Sequence, residues 1–246
     1  MNTASVGFHC PECARSGSQR VIKGPVAFDP ITTKVLVGLN VAAFVLASVW
    51  GGSLSRLTGR PFQEGALYGP LVDNGEWHRV FSAAFLHDGP IHLGFNMWAL
   101  WLLGGQLERI FKPPRFVILY VVSLVGGSFG ALLLDPDVPV VGASGAVFGL
   151  FGATAVLQRS AGLSIWAGGL GPVLAINLFL TLAVPQISIG GHLGGLVAGA
   201  AVGAIYVALV RAGKPDSWAA AGAGVFGVVL FLANIWAAAQ WMDPIF

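Results

Sequence analysis

Charge is what this sequence has least of. Of its 246 residues, 13 are Lys or Arg and 11 are Asp or Glu, about 10% in all, while 55% are hydrophobic. A soluble domain carries roughly a quarter charged residues, so the chain lacks the polar surface needed to cover itself in water. The same shortage leaves no charges for the flanking positions of a coiled coil, and the 35 glycines show no three-residue period of the collagen kind. An integral membrane protein remains. Acidic residues are also missing from the middle of every long apolar run, and no inverted repeat is evident, which disfavours an ion-coupled transporter or a channel.

What is present is a series of apolar runs bounded by Pro, Gly and charge clusters, at 35–50, 91–107, 116–134, 144–158, 161–184, 190–210 and 218–241. They are continuous and rich in Ala, Leu and Gly, unlike the ten-residue alternating strands of a membrane β-barrel. The expected fold is all-α, a polytopic membrane helical bundle of about seven transmembrane helices.

Lys and Arg set the orientation. With the N-terminus inside, Arg15, Arg20, Lys23, Lys34, Arg109, Lys112, Arg115, Arg159, Arg211 and Lys214 are cytoplasmic, 10 of the 13, and only Arg56, Arg60 and Arg79 lie outside. The sequence thus predicts a multi-pass protein of the cell (plasma or inner) membrane, N-terminus cytoplasmic and C-terminus outside. Because the positive charge follows sidedness, the net charge of +2 gives no reason to expect nucleic acid as a partner. The first apolar run follows about 34 polar or mixed residues, so no cleaved signal peptide is expected. Those residues include His9, Cys10 and Cys13, which have the form of half a zinc ribbon; a closed structural site needs four ligands, and they stand as weak metal candidates only.

The informative residues are the few polar ones tolerated near the apolar runs. His92 opens the second run and Asn96 follows one turn later on the same face, Ser144 opens the fourth, and His192 lies near the start of the sixth. All three runs descend from the outer side, so these four side chains share one shallow depth. Taken singly, each has an ordinary structural reading, such as a Ser bonding a carbonyl of its own helix. Those readings do not account for the shared layer. Gly191, Gly195, Gly199 and Gly203 recur every four residues, and Gly145 and Gly149 match them on the fourth run. If the stripes face each other, Ser144 and His192 come within hydrogen-bond reach.

A hydroxyl and an imidazole are the minimum for nucleophilic acyl transfer. With no carboxylate in the spans to orient the base, the residues form a dyad. The Ser144 backbone N–H, His92 and Asn96 are candidate donors to an oxyanion, beside the positive end of the fourth helix. Such a site needs no cofactor, metal or nucleotide.

At these residues the chain resembles the rhomboid intramembrane serine proteases. Gly142-Ala143-Ser144-Gly145 is similar to their G-x-S-G motif, His92 through Asn96 to H-x-x-x-N, and Gly191-His192 with Gly195 and Gly199 to the motif of their sixth helix. The resemblance runs over roughly residues 30–210. It implies a cytoplasmic tail at 1–30, a six-helix catalytic core at 31–210, and a cytoplasmic loop with one additional helix at 211–246. It further implies Ser144 as nucleophile, His192 as base, cleavage of transmembrane segments near the outer face, and a fifth helix, with Trp166 and Phe179, gating entry from lipid. The loop at 51–90 corresponds to the family's embedded first loop, with His78 where a Trp is expected before Arg79. His87 is read as bonding loop backbone. The alternative is a non-catalytic rhomboid-like protein that binds membrane clients.

Overall fold

The computed structural model describes residues 2–3, 8–9, 28–166, 169–184 and 187–240. Cys10 and Cys13 lie outside them; His9 belongs to a two-residue strand, Phe8–His9 (β2), paired antiparallel with Asn2–Thr3 (β1). Otherwise the protein is a helical membrane bundle: α1 Ile31–Gly51, α5 Pro90–Leu134, α6 Ser144–Ser160, α7 Leu170–Ala183, α8 Ile189–Arg211 and α9 Asp216–Ala238. Between α1 and α5 runs a long loop holding α2 Gly59–Gly65, α3 Gly69–Asp73 and α4 Arg79–Ser82, the last continuing into a 3-10 turn at Ala83–Phe85.

Four of these helices, α1, α5, α8 and α9, are long and apolar enough to cross a membrane, and α5, at 45 residues, supplies two spans. It breaks at Lys112, whose φ of 68° and ψ of 157° leave the helical region. Pro113 and Pro114 explain the break. Proline has no N–H to continue the ladder, and it drives the residue before it out of the α region. The two arms of α5 match the runs at 91–107 and 116–134. The 17 residues of α6 reach about 25 Å at 1.5 Å per residue.

One span departs from expectation. The run at 161–184 becomes a helix only from Leu170, 14 residues or about 21 Å long, short of a hydrocarbon core of roughly 30 Å. Gly162 and Gly169 adopt φ of 74° and 77°, left-handed values that a helix cannot continue through. Trp166 therefore lies before α7, packed over Gly171, not on the helix.

α8 is wedged between α6 and the second arm of α5. Glycine makes that possible: a methyl group on Gly195 would collide with the Gly145 carbonyl, one on Gly199 with the Gly149 backbone, and one on Gly130 with the Gly190 carbonyl. α8 thus shows one small-residue stripe to α6 and a second, through Gly190 and Gly194, to Gly126 and Gly130 of α5. α1 is fixed differently. Glu108, fully buried, accepts hydrogen bonds from the N–H groups of Thr32 and Thr33 (2.9 and 2.8 Å) and from the Thr33 hydroxyl (2.8 Å), capping the start of α1 from another helix.

α9 packs against the second arm of α5. Its Asn234 donates to the Val125 carbonyl (3.1 Å), and Asp216 in its first turn pairs with Arg115 (3.0 Å). The apolar cleft between them, lined by Val121, Val125, Gly227 and Phe231, contains none of the residues singled out from the sequence.

Candidate active site

The strand-like segment that delivers Ser144 is knitted to the long loop. Leu67 and Val140 exchange backbone hydrogen bonds (3.0 and 2.9 Å), Gly69 N–H donates to Pro136 (2.7 Å), and Gly142 N–H donates to Ala83 (2.9 Å). The Ala143 N–H donates to Nε2 of buried His87 (3.5 Å), so His87 does bond loop backbone, and the backbone it bonds is that of the Ser144 turn. Burial is the main cause that pushes the His87 imidazole down to about 3, with His92 adding to it; the ring is neutral and Nε2 is free to accept.

The loop is itself pinned by Arg79, only 3% exposed, which donates to the carbonyls of Ala66 (2.8 Å) and Gln63 (2.7 Å) and pairs with Glu76 (2.6 Å). His78, in the place of an expected Trp, donates from Nε2 to the Glu64 carbonyl (3.0 Å), while Trp77 is exposed.

Ser144 is the first residue of α6, half-buried, at the helix's positive end. Gly142 precedes it with a φ of 124°, a value that side chains strain to adopt. A methyl group at Gly142 would lie 2.7 Å from His92 Nε2 and 3.8 Å from Ser144 Oγ, so the two groups border the same small space. His92 Nδ1 accepts from the Asp88 N–H (3.3 Å), which leaves Nε2 toward that space. Asn96, buried one turn below, gives one amide hydrogen to the His92 carbonyl (2.9 Å) and keeps the second.

His192 is buried near the start of α8, where Ser188 caps the helix by accepting from Gly191 N–H (2.9 Å). Its ring stacks on Phe148, 3.9 Å between centroids and 19° between planes; Phe148 lies one turn after Ser144. The glycine stripes face each other as the spacing predicts, with Gly145 against Gly191 and Gly195. The expected hydrogen bond is not made: among the described residues Ser144 Oγ has no hydrogen-bond partner. His192 instead meets Thr181 of α7, Nδ1 to Oγ1 at 2.6 Å.

Ser144, His92, Asn96 and His192 therefore gather at one end of the bundle, held by Gly142, Gly145, Gly191, Gly195 and Gly199. Sequence reasoning missed Thr181 and Phe148. Each looks like filler in an apolar helix, and the available signal was a hydroxyl in an otherwise apolar span and an aromatic at helical spacing from Ser144. Among the described residues no cluster of His, Cys, Asp or Glu could hold a metal.

The Rhomboid domain family model matches residues 74–209, more than half of the chain. The chain is 34% identical over 207 residues to rhomboid protease GluP of Bacillus subtilis, covering 83% of this chain and 38% of that protein. It is 34% identical over 197 residues to RHOMBOID-like protein 5 of Arabidopsis thaliana, covering 77% and 57%. It is 44% identical over 82 residues to the putative rhomboid protease YdcA of Bacillus subtilis, covering 33% and 41%. The chain thus spans between about two fifths and three fifths of the length of these relatives. With the matched domain running from the long loop to the end of α8 and enclosing all four polar residues of the site, this multi-pass membrane chain belongs to the rhomboid family.

Proposed function

We propose that this chain is an intramembrane serine endopeptidase that cuts transmembrane segments of other proteins near the outer face of the membrane. The observation that carries the reading is the convergence of Ser144, His92 and His192 from the starts of three helices on one end of the bundle. In the proposed reaction Ser144 Oγ attacks the scissile carbonyl carbon while His192 Nε2 takes its proton. The oxyanion is received by the Ser144 N–H, the His92 side chain and the free amide hydrogen of Asn96. Collapse breaks the C–N bond, and the leaving amine takes the proton back from His192. Water then repeats the cycle on the acyl-enzyme, releasing a carboxylic acid and free Ser144. No residue of this scheme calls for a cofactor, metal or nucleotide.

The orientation proposed is N-terminus cytoplasmic and C-terminus outside in a cell membrane, which puts Lys34, Arg109, Lys112, Arg115, Arg159, Arg211 and Lys214 at the inner end of the bundle and Ser144 near the outer one. A tail at 1–30, a catalytic core at 31–210 and an accessory helix beyond it are the proposed divisions. The partners are membrane-spanning substrates and the lipid bilayer.

A second reading, a non-catalytic protein that binds membrane clients, is favoured by one observation: Ser144 Oγ makes no hydrogen bond to His192. Cleavage separates the two. Cells expressing the wild-type chain cut candidate single-span reporters, and cells expressing Ser144→Ala or His192→Ala leave them whole. Binding of a reporter without a cut by the wild type establishes the second reading.

A further inference from the structure

Thr181 is 2% exposed, on a helix that turns Ile176, Phe179 and Leu182 outward. Its hydroxyl has one hydrogen to give and lies 2.7 Å from the Asn177 carbonyl one turn back, a group that can only accept. The same oxygen lies 2.6 Å from His192 Nδ1. Both bonds can be made at once only when the hydroxyl donates to the carbonyl and accepts from the imidazole, an arrangement that puts the ring proton on Nδ1 and leaves Nε2 bare. Phe148 stacked on the ring face restrains rotation about the imidazole plane.

We infer that Thr181 is the positioning residue of the base: it accepts from His192 Nδ1–H and so holds His192 in the tautomer whose Nε2 takes the Ser144 proton. This rests on the protease reading above, in which His192 is the base. It supplies from a neutral hydroxyl the tautomer control that a carboxylate gives in a Ser-His-Asp triad, at a depth where a buried charge is costly. Among the described residues the Thr181–His192 bond is the one side-chain hydrogen bond that ties α7 to another helix. A movement of α7 away from α8 takes the hydroxyl with it, so the base is set only while α7 is docked.

The test uses the full chain in detergent with Thr181→Val, which keeps shape and loses the hydroxyl, and Thr181→Ser, which keeps the hydroxyl. Inactivation by a fluorophosphonate is followed to saturation, and the ring nitrogens of His192 are read by 15N NMR on histidine-labelled protein. The expected result is a maximal inactivation rate about tenfold lower in Thr181→Val with an unchanged half-saturating concentration. Thr181→Ser stays within about twofold of wild type. His192 carries its proton on Nδ1 in wild type and in Thr181→Ser, and divides between tautomers in Thr181→Val. A wild-type rate in Thr181→Val, a Thr181→Ser as slow as Thr181→Val, or a bare Nδ1 in wild type overturns the inference. If the wild type is not inactivated at all, the protease reading is what fails, and the NMR signal still decides whether Thr181 sets the tautomer.

Discussion

Two walls of the site are built by opposite means. On one side α6, α8 and the second arm of α5 approach until glycine backbones touch, and the long loop is sewn to the Ser144 segment by backbone hydrogen bonds. On the other side stands α7, 14 residues long, with Phe179 68% exposed. The hydroxyl of Thr181 joins it to the rest. Ser144 belongs wholly to the tight wall, and His92, at the head of the first arm of α5, is tied to the long loop through the Asp88 N–H; His192 is rooted in the tight wall but is hydrogen-bonded to the loose one. The contrast teaches where precision is kept and where movement is cheap: interhelical distance is set by backbone contact that cannot give, while α7, sparsely packed against its neighbours, has little to lose on displacement.

The sharpest way to break this contrast is to spoil the tight wall. Gly195→Leu drives a side chain into the Gly145 carbonyl, so α6 and α8 must separate; the expected cost is about 3 kcal/mol or more, read as a lower denaturation midpoint in detergent. A midpoint like that of wild type means the two helices are not in backbone contact. Next comes the clamp on the long loop. Arg79→Ala leaves the Gln63 and Ala66 carbonyls without their donor and is expected to cost about 2 kcal/mol, with Arg79→Lys recovering only part because a single ammonium cannot reproduce the fork.

Acid gives a finer probe of the same wall. His87 stays neutral in the folded loop down to about pH 3, whereas the unfolded chain takes up a proton near its ordinary value of about 6.5. Between those limits the unfolded state binds more protons, so stability falls as pH is lowered, by up to about 1.4 kcal/mol per unit, and is level above the upper limit. Melting of wild type at pH 7.5 and pH 5 is expected to differ more than that of His87→Asn; equal differences remove His87 from the account. On the loose wall, Phe179→Ala is expected to change stability by less than about 0.5 kcal/mol, since the ring faces outward. A loss as large as that of Arg79→Ala abolishes the distinction between the walls.

Much of this arrangement was legible in the sequence because a membrane interior tolerates so few polar groups. His92, Asn96, Ser144 and His192 stood out against apolar runs, and the four-residue glycine repeat of α8 named its contact face. The break at Lys112 was equally plain in Lys112-Pro113-Pro114. What was hidden depended on partners. Gly190, Gly194, Gly126 and Gly130 form a second stripe whose pairing only the folded chain defines. Glu108 directly follows the apolar run at 91–107, and its role as a cap for α1 needs Thr32 and Thr33, more than 70 residues away in sequence. The start of α7 was misplaced because Leu163, Ile165 and Trp166 are as apolar as a helix interior, and hydropathy does not separate an interfacial turn from a span.

Everything functional turns on Ser144 being a nucleophile. The most direct measurement is covalent labelling of the detergent-solubilised full chain by a fluorophosphonate, wild type beside Ser144→Ala. A single adduct on Ser144 in the wild type and none in the variant is the predicted result; an unlabelled wild type, or equal labelling of both proteins, contradicts it.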